Sequence, residues 1–133
     1  MIAAIADTHA AIWFVYGDAR LSSAAQSFMD RAAAEGNNVG VSAITLAEVV
    51  YLAEKQRVPA STLRRLLELL LDPGQALTGI PIDHDIVIAM QRVKRNEVSD
   101  LPDRLIAATA LHFGAPIISR DRRIQASGLA TIW

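Results

Sequence analysis

The chain has 133 residues, 52% of them hydrophobic, and a formal net charge of −1 from 13 basic and 14 acidic side chains. That length and apolar content predict one core and one domain over residues 1–133, without extended disorder. The chain has no cysteine, which excludes disulfides, thiolate metal centres and cysteine nucleophiles. No apolar run reaches the ~18 residues of a membrane span, and the N-terminus lacks a signal-peptide pattern, so a cytoplasmic protein is expected.

In chain order, the apolar run 2–6 reads as a strand and 8–16 as a short helix stopped near Gly17. Residues 21–35 fit a helix capped by Ser22 or Ser23 and closed by Gly36. The β-branched 39–41 predicts a strand, followed by a helix over 43–56 with Ser42 as N-cap. Apolar positions 63, 66, 67 and 70 predict a helix over 61–71, ended before Asp72-Pro73-Gly74. Then come a strand over 77–82, a helix over 85–94 capped by Asp83, and a helix over 101–113 ended by Gly114. A strand over 115–119, a helical turn over 122–126 and an edge strand over 129–133 complete the pattern. This alternation predicts an α/β fold, a parallel sheet with helices on both faces.

Four carboxylates stand where a folding chain resists them. Asp7 follows the apolar run 2–6, Glu48 is the only charge between Glu35 and Glu54, Asp103 opens an apolar helix, and Asp121 follows Ile117-Ile118. Carboxylates bordering buried elements need compensation, and a hard divalent cation with oxygen ligands supplies it. Sites in open parallel sheets form at the carboxyl ends of the strands, where strand order reverses. All four acids map to that rim.

Each acid also has a plain local reading. Asp7 and Asp121 can cap the helices that follow them, Asp103 can sit in a first turn after Pro102, and Glu48 follows Thr45 at capping-box spacing. Their joint occurrence is what favours a site. Ser119, two residues before Asp121, is a candidate for holding a metal-bound water. His112 falls half a turn from Asp103, His9 beside Asp7 reads first as a packing or capping residue and second as one that touches substrate, and His84 adjoins the expected cap Asp83. No zinc-spaced histidine pair, phosphate loop, dinucleotide turn or nucleophile elbow is present.

Outside the four acids the chain is net positive, with bases grouped at 64–65, 92–95 and 120–123. Bases beside an acidic metal site suit a polyanion, and a solvated helix face gives the same pattern. Arg104, Arg120 and Arg122 are the candidate phosphate contacts. Leu63, Leu66, Leu67, Leu70 and Leu71, with Trp13 and Tyr16, exceed what one face of a short helix needs. They read as either core or a docking surface.

Asp7-Thr8-His9 after a strand, the segment Val41 to Glu48, the segment Leu101 to Ala110, and Ile118-Ser119-Arg120-Asp121 resemble the ordered motifs of PIN-domain proteins, specifically VapC-type toxins of prokaryotic toxin–antitoxin pairs. The resemblance spans essentially the whole chain. It implies a three-layer α/β/α sandwich with a central, mostly parallel sheet, and Mg²⁺- or Mn²⁺-dependent endoribonuclease activity. It further implies a homodimer and inhibition by a cognate VapB-type antitoxin. By position it assigns the acidic set to Asp7, Glu48, Asp103 and Asp121, with Ser119 at the hydroxyl position and Thr8 as an accessory. Asp100 is a possible further acid, but Arg104 follows Asp103 as the pattern expects. The site is read as lacking a histidine or lysine base, so hydrolysis should leave 5′-phosphate and 3′-hydroxyl ends. Rival readings are a PIN-like module that binds RNA without cutting it, and a Mg²⁺-binding phospho-acceptor or phosphatase-like domain. The latter lacks an acidic pair on the first strand and a late lysine.

Overall fold

In a computed structural model covering residues 1–133, the run Ile2–Ala6 forms strand β1 at the centre of a five-stranded sheet. Alternation explains why a run this apolar belongs there: Ala4 and Ala6 face one core, Ile5 the other, and all three are fully buried. On one side β1 pairs with β2 (Asn38–Ser42), which pairs with β3 (Leu77–Ile80). On the other side it pairs with β4 (Ile117–Ile118), which pairs with β5 (Thr131–Ile132). Every pairing is parallel and the order is β3-β2-β1-β4-β5. The chain winds outward from β1 to β3, then crosses to the other side of β1, so strand order reverses between β1 and β4.

Helices cover both faces. Helices α1 (Thr8–Tyr16), α2 (Ser23–Ala34) and α4 (Thr62–Leu71) pack on one face, burying Trp13, Met29 and Leu66 against Ala4, Val39 and Val41. Helices α5 (His84–Ala89), α6 (Leu101–Phe113) and α7 (Arg122–Ala126) pack on the other, burying Ile86, Ile106 and Ile124 with Ile5 and Ile117. Helix α3 (Ala43–Glu54) sends Val49 into the first core and rests Ile44 against the second. The result is the expected α/β/α sandwich. No helix is long and apolar enough to cross a membrane.

Local chemistry fixes most boundaries. The carboxylates of Asp7 and Asp83 and the hydroxyls of Ser22 and Ser42 accept backbone N–H bonds as N-caps of α1, α5, α2 and α3. Gly17 and Gly114 close α1 and α6 at φ 58° and 62°, a left-handed turn that a Cβ disfavours.

The structure corrects one expectation and decides between two readings of another segment. The helix over 85–94 stops at Ala89, continues as a 3₁₀ turn over Met90–Arg92, and ends with Val93 extended and buried. The leucine-rich α4 is chiefly core: Leu66 is fully buried, Leu63 and Leu70 pack against the first core, and Trp13 is 5% exposed. Tyr16 bonds Thr62 at 2.6 Å. Only Leu67 and Leu71 of that group stand exposed.

Candidate active site

The carboxyl ends of β1 and β4 lie side by side at the reversal point, and a cavity of about 310 Å³ opens there. The chain leaves β1 at Asp7, whose Oδ1 accepts the Ala10 N–H at 2.9 Å and so starts α1. It leaves β4 through Ser119 to Asp121, whose Oδ1 accepts the N–H groups of Arg123 at 2.7 Å and Ile124 at 3.3 Å to start α7. The capping and site readings of these two acids therefore both hold. One oxygen of each carboxylate opens a helix, and each residue still lines the cavity.

Glu48 reaches the same cavity from the second turn of α3, and Asp103 from the first turn of α6. All four predicted acids thus meet on one wall system, and Asp100 joins them. Asp100 precedes α6 as its cap residue yet makes no side-chain cap bond, leaving its carboxylate exposed toward the cleft. No lysine or arginine pairs with any of these acids; the chain's two salt bridges are Arg20–Asp18 and Arg64–Glu68.

Without a counter-charge, Asp103, Asp7 and Glu48 hold their protons more tightly than usual. Burial, then the charges of Asp100, Asp121, Glu48 and Asp7, push the Asp103 carboxyl up to about 7. Burial lifts Asp7 as well, against hydrogen bonding from Ser119 and Ala10. It also lifts Glu48, against the Thr8 hydroxyl that donates to Glu48 Oε1. No three of the carboxylates already stand at the spacing of one shared ion; like charges facing a partly buried cleft keep apart. The donor set is all oxygen, anionic and free of basic partners, which fits a hard divalent cation.

The hydroxyls are arranged around the acids. Ser119 is fully buried and its Oγ accepts the Asp121 N–H at 3.0 Å. Thr8 is buried between Glu48 and Thr45, with a Thr8–Thr45 hydroxyl distance of 3.1 Å. From sequence, Thr45 reads only as a capping partner of Glu48; it lies three residues before Glu48, on the same helix face, and its hydroxyl meets that of Thr8 instead.

Other expectations change. His9 is exposed, lines the cavity and packs on Trp13 with ring centroids 5.6 Å apart, so the site does contain a histidine. His112 is exposed and edges onto Phe113 away from the cavity, as its helical phase requires. The candidate phosphate contacts separate. Arg120 lines the cavity, and Arg122 is exposed beside it in sequence. Arg104 does not reach the cavity: its Nη2 donates to the carbonyls of Met90 at 3.2 Å and Val93 at 3.1 Å, and its Nε is buried. It ties the 3₁₀ turn to α6 and is withdrawn as a phosphate contact.

A PIN-domain family model matches residues 4–128. Ribonuclease VapC22 of Mycobacterium tuberculosis is 27% identical over 125 residues, covering 94% of this chain and 92% of that protein. Among solved structures, VapBC2 of Rickettsia felis bound to promoter DNA superposes with a TM-score of 0.71 at 18% identity, over 98% of this chain and 97% of the other. DNA-bound VapBC of Salmonella typhimurium gives 0.71 at 20%, and a toxin–antitoxin complex of Klebsiella pneumoniae 0.66 at 24%, each with the same coverage of both chains. At these identities the structural likeness speaks to the fold.

Proposed function

The chain belongs to the PIN-domain family, and from that membership we propose that it is a divalent-metal-dependent endoribonuclease, the toxin of a toxin–antitoxin pair. The carrying observation is the convergence of Asp7, Glu48, Asp103 and Asp121 on one cavity with no cation of the protein paired to any of them. The similarity to a ribonuclease and to chains of toxin–antitoxin complexes supports RNA as substrate, a VapB-type antitoxin as partner and a cytoplasmic setting.

Asp7, Asp103 and Asp121 would hold Mg²⁺ or Mn²⁺, with Glu48 completing the set. Such an ion supplies charge stabilisation at the scissile phosphate and lowers the pKa of water. The protein's own groups do the rest. The Ala10 N–H fixes one oxygen of Asp7 and leaves the other for the cavity. Thr8, steadied by Thr45, holds one oxygen of Glu48, so the other can accept a proton from the attacking water. The new bond joins water oxygen to phosphorus, the bond to O3′ breaks, O3′ takes a proton from solvent, and Glu48 returns its proton to solvent. The ends are 5′-phosphate and 3′-hydroxyl. Exposed Val50, Tyr51, Leu67 and Leu71 on α3 and α4 offer apolar surface for the antitoxin or a second copy. A stable monomer in sedimentation would count against the homodimer.

His9 on the cavity wall supports a second reading, in which imidazole activates the RNA 2′-hydroxyl and leaves a cyclic phosphate without metal. An RNA panel incubated with Mg²⁺, Mn²⁺ or EDTA decides between the two. Cleavage should need metal, yield 5′-phosphate ends and vanish in Asp7→Asn and Asp103→Asn. Cyclic-phosphate ends formed in EDTA would select His9. Undiminished cutting by both variants would overturn the acid site.

A further inference from the structure

We propose that Arg120 is the residue that grips the RNA phosphate at the cavity wall, and that Trp13 is the positioning residue that holds it there. This rests on the nuclease reading above. Arg120 is the only lysine or arginine among the cavity-lining residues, which include five carboxylates, yet it forms a salt bridge with none of them. Its guanidinium carbon instead lies 4.8 Å from the centroid of the Trp13 ring.

A second guanidinium, that of Arg20, lies 5.1 Å from the same centroid. The two differ in charge state toward a ligand. Arg20 is bound to Asp18, with Nη2 to Oδ2 at 2.8 Å and Nε to Oδ1 at 3.1 Å, so its charge is answered within the protein. Arg120 has no such partner. Of the two cations over this indole, only Arg120 is left to meet an incoming anion.

The platform is stiff. Trp13 is 5% exposed, with His9 at 5.6 Å and Trp133 at 5.8 Å between ring centroids. An indole so covered offers little open face to a nucleobase, so the wall presents charge rather than a stacking surface. A guanidinium lying on an aromatic ring keeps its in-plane N–H edges open, and that planar fork matches two phosphate oxygens. Holding Arg120 on Trp13 also keeps it from quenching the carboxylates, which stay available to a cation. An RNA phosphate approaching five acids meets one positive group first.

The test is binding of a labelled single-stranded RNA of mixed sequence, in EDTA, over a salt series. Arg120→Ala should bind about tenfold more weakly, the scale of a lost charged hydrogen bond. Its log–log salt slope should flatten by about 0.7, the value of one phosphate on a single strand. Arg64→Ala, which removes an equal charge from α4, should keep the parental slope. Arg120→Lys should keep most of the slope but lose affinity, because an ammonium lacks the fork. Trp13→Phe should weaken binding in the parent and add nothing in the Arg120→Ala background. In Mg²⁺, Arg120→Ala should raise KM more than it lowers kcat. Unchanged affinity and slope in Arg120→Ala, with the parent still cleaving RNA, overturns the role of Arg120 alone. Additive losses in the double variant overturn the platform role of Trp13. A parent that neither binds nor cleaves RNA means the nuclease reading itself has failed.

Discussion

Asp103→Asn should stabilise the metal-free protein above neutral pH while abolishing cleavage. Burial, then the charges of four neighbouring carboxylates, raises this carboxyl from 3.8 to about 7. In the unfolded chain it titrates at its ordinary value. Between roughly pH 4 and pH 7 the folded state therefore keeps a proton that the unfolded state has lost, and stability falls as pH rises through that window. The loss is complete above the folded value. Three pH units set a ceiling of about 4 kcal/mol, which solvent screening of this partly exposed group reduces to about 2 kcal/mol. A first-turn carboxylate gains roughly 0.5 kcal/mol from the α6 dipole that asparagine forgoes, leaving about 1.5 kcal/mol in favour of the variant. For a domain of this size that is a rise of about 5 °C in Tm. Thermal melts in EDTA should show it at about pH 8.5 and show almost none of it near about pH 3, where both states are largely protonated. Adding Mg²⁺ should reverse the order, since the ion stabilises only the native acid-bearing protein. A difference in Tm independent of pH, or a variant less stable at both pH values, would refute the electrostatic account of the cavity.

Three other outcomes are expected. Mg²⁺ or Mn²⁺ must displace the proton that Asp103 holds up to about 7, so affinity should fall about tenfold per pH unit below that value. Calorimetric titration giving a flat affinity from about pH 6 to pH 8 would remove Asp103 from the ligand set. Arg104→Met cuts the bonds to Met90 and Val93 and should cost about 1–3 kcal/mol in urea unfolding, with RNA affinity unchanged. Leu66→Ala, at a fully buried position, should cost about 2–5 kcal/mol and lower the urea midpoint without changing the slope.

Elements whose limits are set within a few residues were legible in the sequence. Strand 2–6, helices 8–16 and 101–113 and the turn 122–126 have the bounds that their caps and glycines imply. The convergence of the acids was legible for the same reason, because a parallel sheet brings strand ends and helix starts to one rim. What escaped depends on contacts remote in sequence. The helix over 85–94 breaks where Arg104, eleven residues beyond Val93, donates to its carbonyl. Trp13 read as core or docking surface and His9 chiefly as a packing or capping residue, because nothing local reveals that α1 runs beside the cavity. The leucines of α4 looked excessive because part of the apolar surface that receives them belongs to α1, far back in the chain.

Asp7 and Asp121 owe their placement to the main chain, since each is tethered by the amide that opens the next helix. A charge anchored in that way asks little of the side chains around it. Flanking sequence can drift far while the two oxygens keep their mutual bearing. Asparagine, an equally good opener of helices, would erase the charge and spare the architecture.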